Sequence, residues 1–140
     1  LAIVSMILVL LLAAGSYGFV TKPGQLVWRP FSKTALDEAL ASGKPVFVDF
    51  TADWCITCKT NERFAIDTPK IRAEFLKRNV VALKADWTKG DPEITEILKK
   101  FGRAGVPMYL IYPGGAKEMS PVLLPELITS ETVLDALNKT

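Results

Sequence analysis

The run Val46-Phe47-Val48-Asp49-Phe50 leads within five residues into Cys55-Ile56-Thr57-Cys58, and this order constrains the fold more than any other feature of the chain. A short apolar run rich in β-branched and aromatic residues, opened by Pro45, predicts a central strand. The cysteines then fall where a helix begins. These are the only two cysteines among 140 residues, and there is no histidine. No Ser-His-Asp triad, Cys-His nucleophile pair or imidazole metal ligand is therefore available. A Cys-x-x-Cys pair alone is half a zinc site, a structural disulfide or a redox dithiol. A zinc site usually needs four ligands, and so short a loop gains little from cross-linking. A strand before the pair and a helix after it is the redox setting.

The remaining elements follow from patterning. Thr21 to Arg29, with Pro23 and Gly24, reads as a linker into a short strand at Leu26–Trp28. Ser32 caps a helix over Lys33–Ala41, which Gly43 ends. A helix is predicted from Cys55 to about Ala65. Another starts at Asp67-Thr68-Pro69 and carries Ile71, Phe75 and Leu76. Strands are predicted at Val80–Ala85, Pro107–Tyr112 and Val122–Leu124. Helices are predicted from Asp91-Pro92-Glu93 to Gly102 and, capped by Ser130, through Leu137. The order β-α-β-α-α-β-α-β-β-α predicts an α/β fold. It is a mixed central sheet with helices on both faces, its early strands parallel and its last pair antiparallel.

Residues 1–20 stand apart. All 17 basic and 15 acidic residues fall after position 21, and among the first twenty only Ser5, Gly15, Ser16 and Gly18 are not apolar. As a helix, Leu1–Val20 would reach about 30 Å, the thickness of a bilayer core. A transmembrane helix is the expectation; a signal peptide and a buried core helix are the other readings. No basic n-region and no clear cleavage site favour the signal peptide. Ser16 stands where a lipoprotein site requires Cys, so no lipid anchor is expected. Lys22, Arg29 and Lys33 weakly favour a cytoplasmic C-terminal side. The predicted division is a hydrophobic segment 1–20, a linker and first strand 21–30, and one domain over 31–140. A net charge of +2 gives no reason to expect a nucleic-acid partner.

Within the site, Cys55 at the helix start is the expected nucleophile, exposed and favoured as thiolate by the helix dipole. Cys58, one turn deeper, is the resolving thiol. Asp49 lies in an otherwise apolar strand; it is either a solvent-facing edge residue or a buried carboxyl that accepts the Cys58 proton, and the second reading is adopted. Glu62, one turn beyond Cys58, either approaches the pair or is an ordinary exposed helix residue. Lys59 is expected to be solvated, Lys84 and Asp86 to be structural, and Trp87 has no assigned role. Val122 to Leu127 is read as core, with a docking surface as the other possibility.

The string Val48-Asp49-Phe50-Thr51-Ala52-Asp53-Trp54-Cys55, with Cys58-Lys59, Glu62, Ala85-Asp86-Trp87-Thr88 and Gly105-Val106-Pro107-Met108-Tyr109-Leu110, resembles the thioredoxin superfamily. More closely, it resembles the C-terminal thioredoxin-like domain of the DsbD family of membrane thiol reductases, ScsB-type relatives included. The resemblance covers about Leu26 to Leu137. It implies the thioredoxin fold and a protein-disulfide reductase with no cofactor beyond the Cys55–Cys58 disulfide and no metal. It implies catalytic roles for Cys55, Cys58, Asp49 and Glu62, the two acids modulating the thiols. Trp54 becomes a lid beside the sulfurs, Pro107 is cis, and Val106 and Pro107 bind an extended substrate segment.

The resemblance further implies that electrons pass from a membrane-embedded dithiol to periplasmic partner proteins. The protein would lie in the bacterial inner membrane with this domain in the periplasm, and residues 1–20 would be the last span of a longer chain. That implication outweighs the basic flank. The rival readings are a stand-alone membrane-tethered thioredoxin, as in cytochrome c maturation, a non-catalytic thioredoxin-like binding module and, third, a metal-binding module that zinc retention by the reduced protein would reveal. Further upstream spans would exclude the first. Partner binding that survives loss of both cysteines would support the second.

Overall fold

The computed structural model of the protein describes residues 24–115 and 120–140. The expected segment at 1–20 lies outside the described residues, as does the start of the linker. Among the described residues no helix is long and apolar enough to cross a membrane.

Five strands and five α-helices alternate as the patterning predicts. They are β1 (Trp28–Pro30), α1 (Lys33–Ala41), β2 (Val46–Thr51), α2 (Ile56–Asn61), a π-helical turn (Glu62–Ile66), α3 (Pro69–Lys77), β3 (Val81–Asp86), α4 (Pro92–Lys100), β4 (Met108–Tyr112), β5 (Val122–Leu123) and α5 (Ser130–Asn138). Two boundaries differ most from expectation, and the last helix starts a residue earlier than expected, with Thr129 rather than Ser130 as its cap. The first strand starts at Trp28 rather than Leu26, because pairing with Ala82 begins there; Leu26 still packs against the core from outside the ladder. The helix expected from Cys55 to Ala65 changes from α to π after Asn61, and Asp67 N–H closes onto the Glu62 carbonyl at 2.7 Å. Hydrophobic spacing over so few residues does not separate the two kinds of turn.

The sheet order is β1-β3-β2-β4-β5. β1 and β2 run parallel to β3, whereas β4 is antiparallel to both β2 and β5. Alternation along β2 then divides the core. Phe47, Ala82, Tyr109 and Ile111 face the π turn, α3 and α5. Val46, Val48, Phe50, Leu83, Ala85, Met108 and Leu110 face α1 and α4. Side-chain caps fix the helix starts: Ser32 Oγ accepts from Ala35 N–H at 3.0 Å, and Thr68 Oγ1 accepts from Ile71 N–H at 3.3 Å.

This topology creates one functional pole. β2 ends at Thr51 and turns through Ala52-Asp53-Trp54 into α2. Because β4 is antiparallel, its beginning meets the end of β2, with Phe50 opposite Met108. The segment Gly105-Val106-Pro107 therefore lands beside the cysteines.

Candidate active site

Cys55 and Cys58 form a disulfide with an S–S distance of 2.08 Å. Cys55 is the N-cap of α2, and its Sγ accepts the Cys58 N–H at 3.1 Å. Negative charge that develops on this sulfur on reduction meets that donor and the positive end of the helix. Cys58 is fully buried. Cys55, expected to be exposed, is only 6% exposed. It packs with Ala52 and Cys58 in a small cluster of its own, against which Val106 rests. The order of access still favours Cys55, since Cys58 has none. The Val106–Pro107 bond is cis, as the resemblance implied.

Asp49 is completely buried, so the edge-strand reading is discarded. It sits mid-sheet, opposite Lys84 on β3 and Tyr109 on β4. Neither carboxylate oxygen has a hydrogen-bond partner. Burial is the main reason its pKa rises to about 8, and the neighbouring Glu62 carboxylate pushes the same way; Lys84 and Lys59 oppose them. Asp49 is thus a carboxyl that holds its proton at neutral pH.

Glu62 turns inward rather than to solvent. Its Oε1 accepts from Thr51 Oγ1 at 3.1 Å and from Lys84 Nζ at 3.2 Å. Lys84 Nζ lies 4.0 Å from Asp49 Oδ2, so one ammonium serves two carboxyls and favours Glu62. It also stands 4.6 Å from the centre of the Trp28 ring. Water reaches this group through a cleft of about 290 Å³ lined by Trp28, Lys59, Glu62, Arg63, Ile66, Asp67 and Lys84.

The π turn lets two consecutive residues work inward. As Glu62 reaches Lys84, Asn61 donates to the Tyr109 hydroxyl at 3.0 Å and to the Glu126 carbonyl at 2.7 Å. This ties the active-site helix to β4 and to the segment after β5. Burial, with Asp49 nearby, raises the Tyr109 pKa further above its ordinary value.

On the other flank Trp54 is 58% exposed, which excludes a core role. Its Nε1 donates to the Thr88 carbonyl at 3.3 Å, and Thr88 Oγ1 accepts from Asp53 N–H at 2.9 Å. Asp86 accepts from the Thr88 hydroxyl and from Thr88 N–H at 2.9 Å, and these two bonds hold its pKa below the usual carboxylate value.

The structure thus brings Cys55, Cys58 and Val106 together, and separately gathers Asp49 and Glu62 around Lys84. Lys84, expected from the sequence to be structural, is the cation these two acids share. The available signal was a charged residue in an alternating strand, as at Asp49, but only the β2–β3 register places the two opposite each other. Asn61 and Tyr109 carried no comparable signal. Among the described residues no cluster of three His, Cys, Asp or Glu side chains is arranged to hold a metal ion.

Residues 27–114 match the family model described as Thioredoxin-like. The thiol:disulfide interchange protein DsbD of Haemophilus ducreyi is 30% identical over 121 residues, which cover 85% of this chain and 21% of that protein. The chain spans about a fifth of the length of the curated relatives it matches. The oxidised DsbD C-terminal domain of Neisseria meningitidis aligns at a TM-score of 0.59 and 27% identity, covering 76% of this chain and 90% of that one. A thioredoxin from Thermus thermophilus shares the fold at a TM-score of 0.66 and 23% identity, over 82% and 86% of the two chains. A disulfide capping the helix after the central strand, a cis-proline loop against it and these alignments converge: the chain belongs to the thioredoxin-like family and is homologous over most of its length to DsbD proteins, matching the DsbD C-terminal domain in structure.

Proposed function

We propose that the protein is a protein-disulfide reductase that works by dithiol–disulfide exchange at Cys55 and Cys58. The observation that carries the reading is the Cys55–Cys58 disulfide at the start of α2, with Val106 packed upon it. In the reduced protein the Cys55 thiolate attacks a partner's disulfide. That S–S bond breaks, a mixed disulfide forms through Cys55, and the departing sulfur takes up a proton. Cys58 then loses its proton, which Asp49 takes up in the minority of molecules where this carboxyl is ionised at neutral pH, and attacks Cys55 Sγ. The mixed disulfide breaks, the Cys55–Cys58 bond forms, and the partner leaves with two electrons more.

Asp49 suits the proton step because its pKa, about 8, lies close to that of an ordinary thiol. Glu62, held by Thr51 and Lys84, sets the field in which Asp49 titrates. The Glu62 carboxylate opposes the helix dipole, joined by Asp49 once that ionises, so Cys55 is weakly activated rather than strongly acidic. Trp54, Val106 and Pro107 line the place where a partner's extended segment pairs with the Val106 backbone.

In the cell, the domain takes electrons from a membrane-embedded dithiol and delivers them to a periplasmic thiol protein. Residues 1–20 tether it to the bacterial inner membrane as a transmembrane helix, 21–30 are the linker and first strand, and 31–140 are the catalytic domain. The name of the DsbD relatives, thiol:disulfide interchange protein, supports the exchange on which this relay is built. The test is trapping in the source cell with the full chain carrying Cys58→Ala. Cys55 is expected to accumulate mixed disulfides with one membrane dithiol protein and one periplasmic thiol protein. Recovery of neither, from cells in which Cys55 is reactive, sinks the relay.

A further inference from the structure

Trp87 has no role in the exchange just described, yet it stands between the two loops that flank the disulfide. Its backbone N–H donates to the Thr51 carbonyl at 2.8 Å, at the end of β2. Its Nε1 donates to Thr95 Oγ1 at 2.8 Å, which anchors the indole to α4. On one side its ring meets Trp54, with centroids 6.1 Å apart and planes tilted by 58°. On the other it meets Gly105: a Cβ built there would lie 3.3 Å from Trp87 Cζ3 and 3.9 Å from Cη2. That clearance is short for a carbon contact, so the indole occupies the room a side chain at position 105 would need. Thr88 then ties the same segment to Trp54 and Asp53.

We propose that Trp87 is a positioning residue for protein substrates. Its anchored indole is the spacer that sets the separation between Trp54 and the Gly105–Val106 backbone. That separation is the width of the slot in which a partner's extended segment lies over Cys55–Cys58. The inference rests on the reading of the site as a thiol:disulfide exchange centre. It adds what selects a protein over a small thiol. A small dithiol needs only access to a sulfur, whereas a polypeptide needs both walls at the right spacing. The cluster around the sulfurs consists of Ala52, Cys55, Cys58 and Val106 and does not include Trp87. Changing the spacer therefore leaves the sulfur chemistry in place.

The full chain, kept reduced by dithiothreitol, is assayed for reduction of insulin, and its disulfide is separately titrated with dithiothreitol alone. Each insulin disulfide reduced leaves Cys55–Cys58 oxidised, and dithiothreitol restores it. Gly105→Ala pushes a methyl against the indole; it is expected to raise KM for insulin by about fivefold or more, a larger effect than any it has on the dithiothreitol reaction. Trp87→Phe supplies a smaller ring. In that background Gly105→Ala is expected to cost clearly less than in wild type, a non-additivity that marks direct contact. Thr95→Val releases the indole anchor without touching either loop; it is expected to raise KM modestly and to change the tryptophan emission. Multiplicative effects in the double variant, or a dithiothreitol rate that falls in step with insulin reduction, overturn the proposal. A wild-type chain that cycles with dithiothreitol but never reduces insulin defeats the exchange reading itself, and the slot with it. A wild-type chain that reduces insulin with a KM unmoved by all three variants defeats Trp87 alone.

Discussion

The two halves of β2 are buried alike but built for different ends. Val46, Phe47 and Val48 are fully buried and wholly apolar. Phe47 alone meets Trp28, Phe75 and Tyr109 with centroid distances of 6.1, 5.3 and 6.2 Å. Asp49 and Thr51, in the second half, are buried just as deeply and are polar. Thr51 finds Glu62, but Asp49 finds no hydrogen bond. Removing apolar surface from water stabilises the first half by about 1.5–3 kcal/mol per large side chain. The same removal penalises an ionised Asp49 and appears as its raised pKa. Stability therefore resides at one end of the strand and proton chemistry at the other, two residues apart on the same face.

The sharpest way to break this contrast is Phe47→Ala. It should cost about 3–5 kcal/mol of unfolding free energy in a denaturant titration, because a ring is lost from a packed core. The disulfide of the molecules that remain folded should keep its rate with dithiothreitol. A rate that fell in proportion would show that the two halves do not divide the work.

Asp49→Asn should act in the opposite sense. With its pKa raised to about 8, folded Asp49 keeps a proton that the unfolded chain releases near pH 4. Wild-type stability on this account falls as pH rises across that window, and below it the group contributes nothing. The variant's advantage should grow by up to roughly 1.4 kcal/mol per pH unit between pH 4 and 8 and vanish near pH 4. It should also slow closure of the mixed disulfide at neutral pH and lower the Cys55 pKa. Parallel stability curves for the two proteins from pH 4 to 8 would refute the assignment.

The smallest expected effects come as an opposed pair. Glu62→Gln removes a carboxylate that raises the Asp49 pKa and should bring it down, as well as lowering that of Cys55. Lys84→Gln removes a charge that holds Asp49 down and should send it up. Shifts of about one unit are expected, read from the carboxyl stretching band of Asp49 against pH. Shifts of the same sign in both variants would contradict the placement of Lys84 between the two acids. A Cys55 pKa well below 7 in wild type, by thiolate absorbance, would contradict the weakly activated thiol.

Much of the site was legible because its signals are local. Cys55 and Cys58 declare themselves by their spacing after a strand, and Asp49 by being a charge in an apolar run. Glu62 was ambiguous, since one turn past Cys58 an acid faces either way. The π turn, which no hydropathy pattern announces, decided that it faces inward. Lys84 and Trp87 were passed over because their partners are 35 and 33 positions away for Asp49 and Trp54, respectively.

Neighbours along the chain already specify most of the elements, their order and which residue types can do redox chemistry, because periodicity, caps and a Cys-x-x-Cys pair are local properties. What those residues meet follows from the packing of distant strands. The β2–β3 register set Lys84 opposite Asp49 and within reach of Glu62, antiparallel β4 delivered Val106 onto the disulfide, and packing left Cys55 almost covered rather than exposed. Charge, burial and access at a site depend on distances through space, and those are fixed only when distant strands pair.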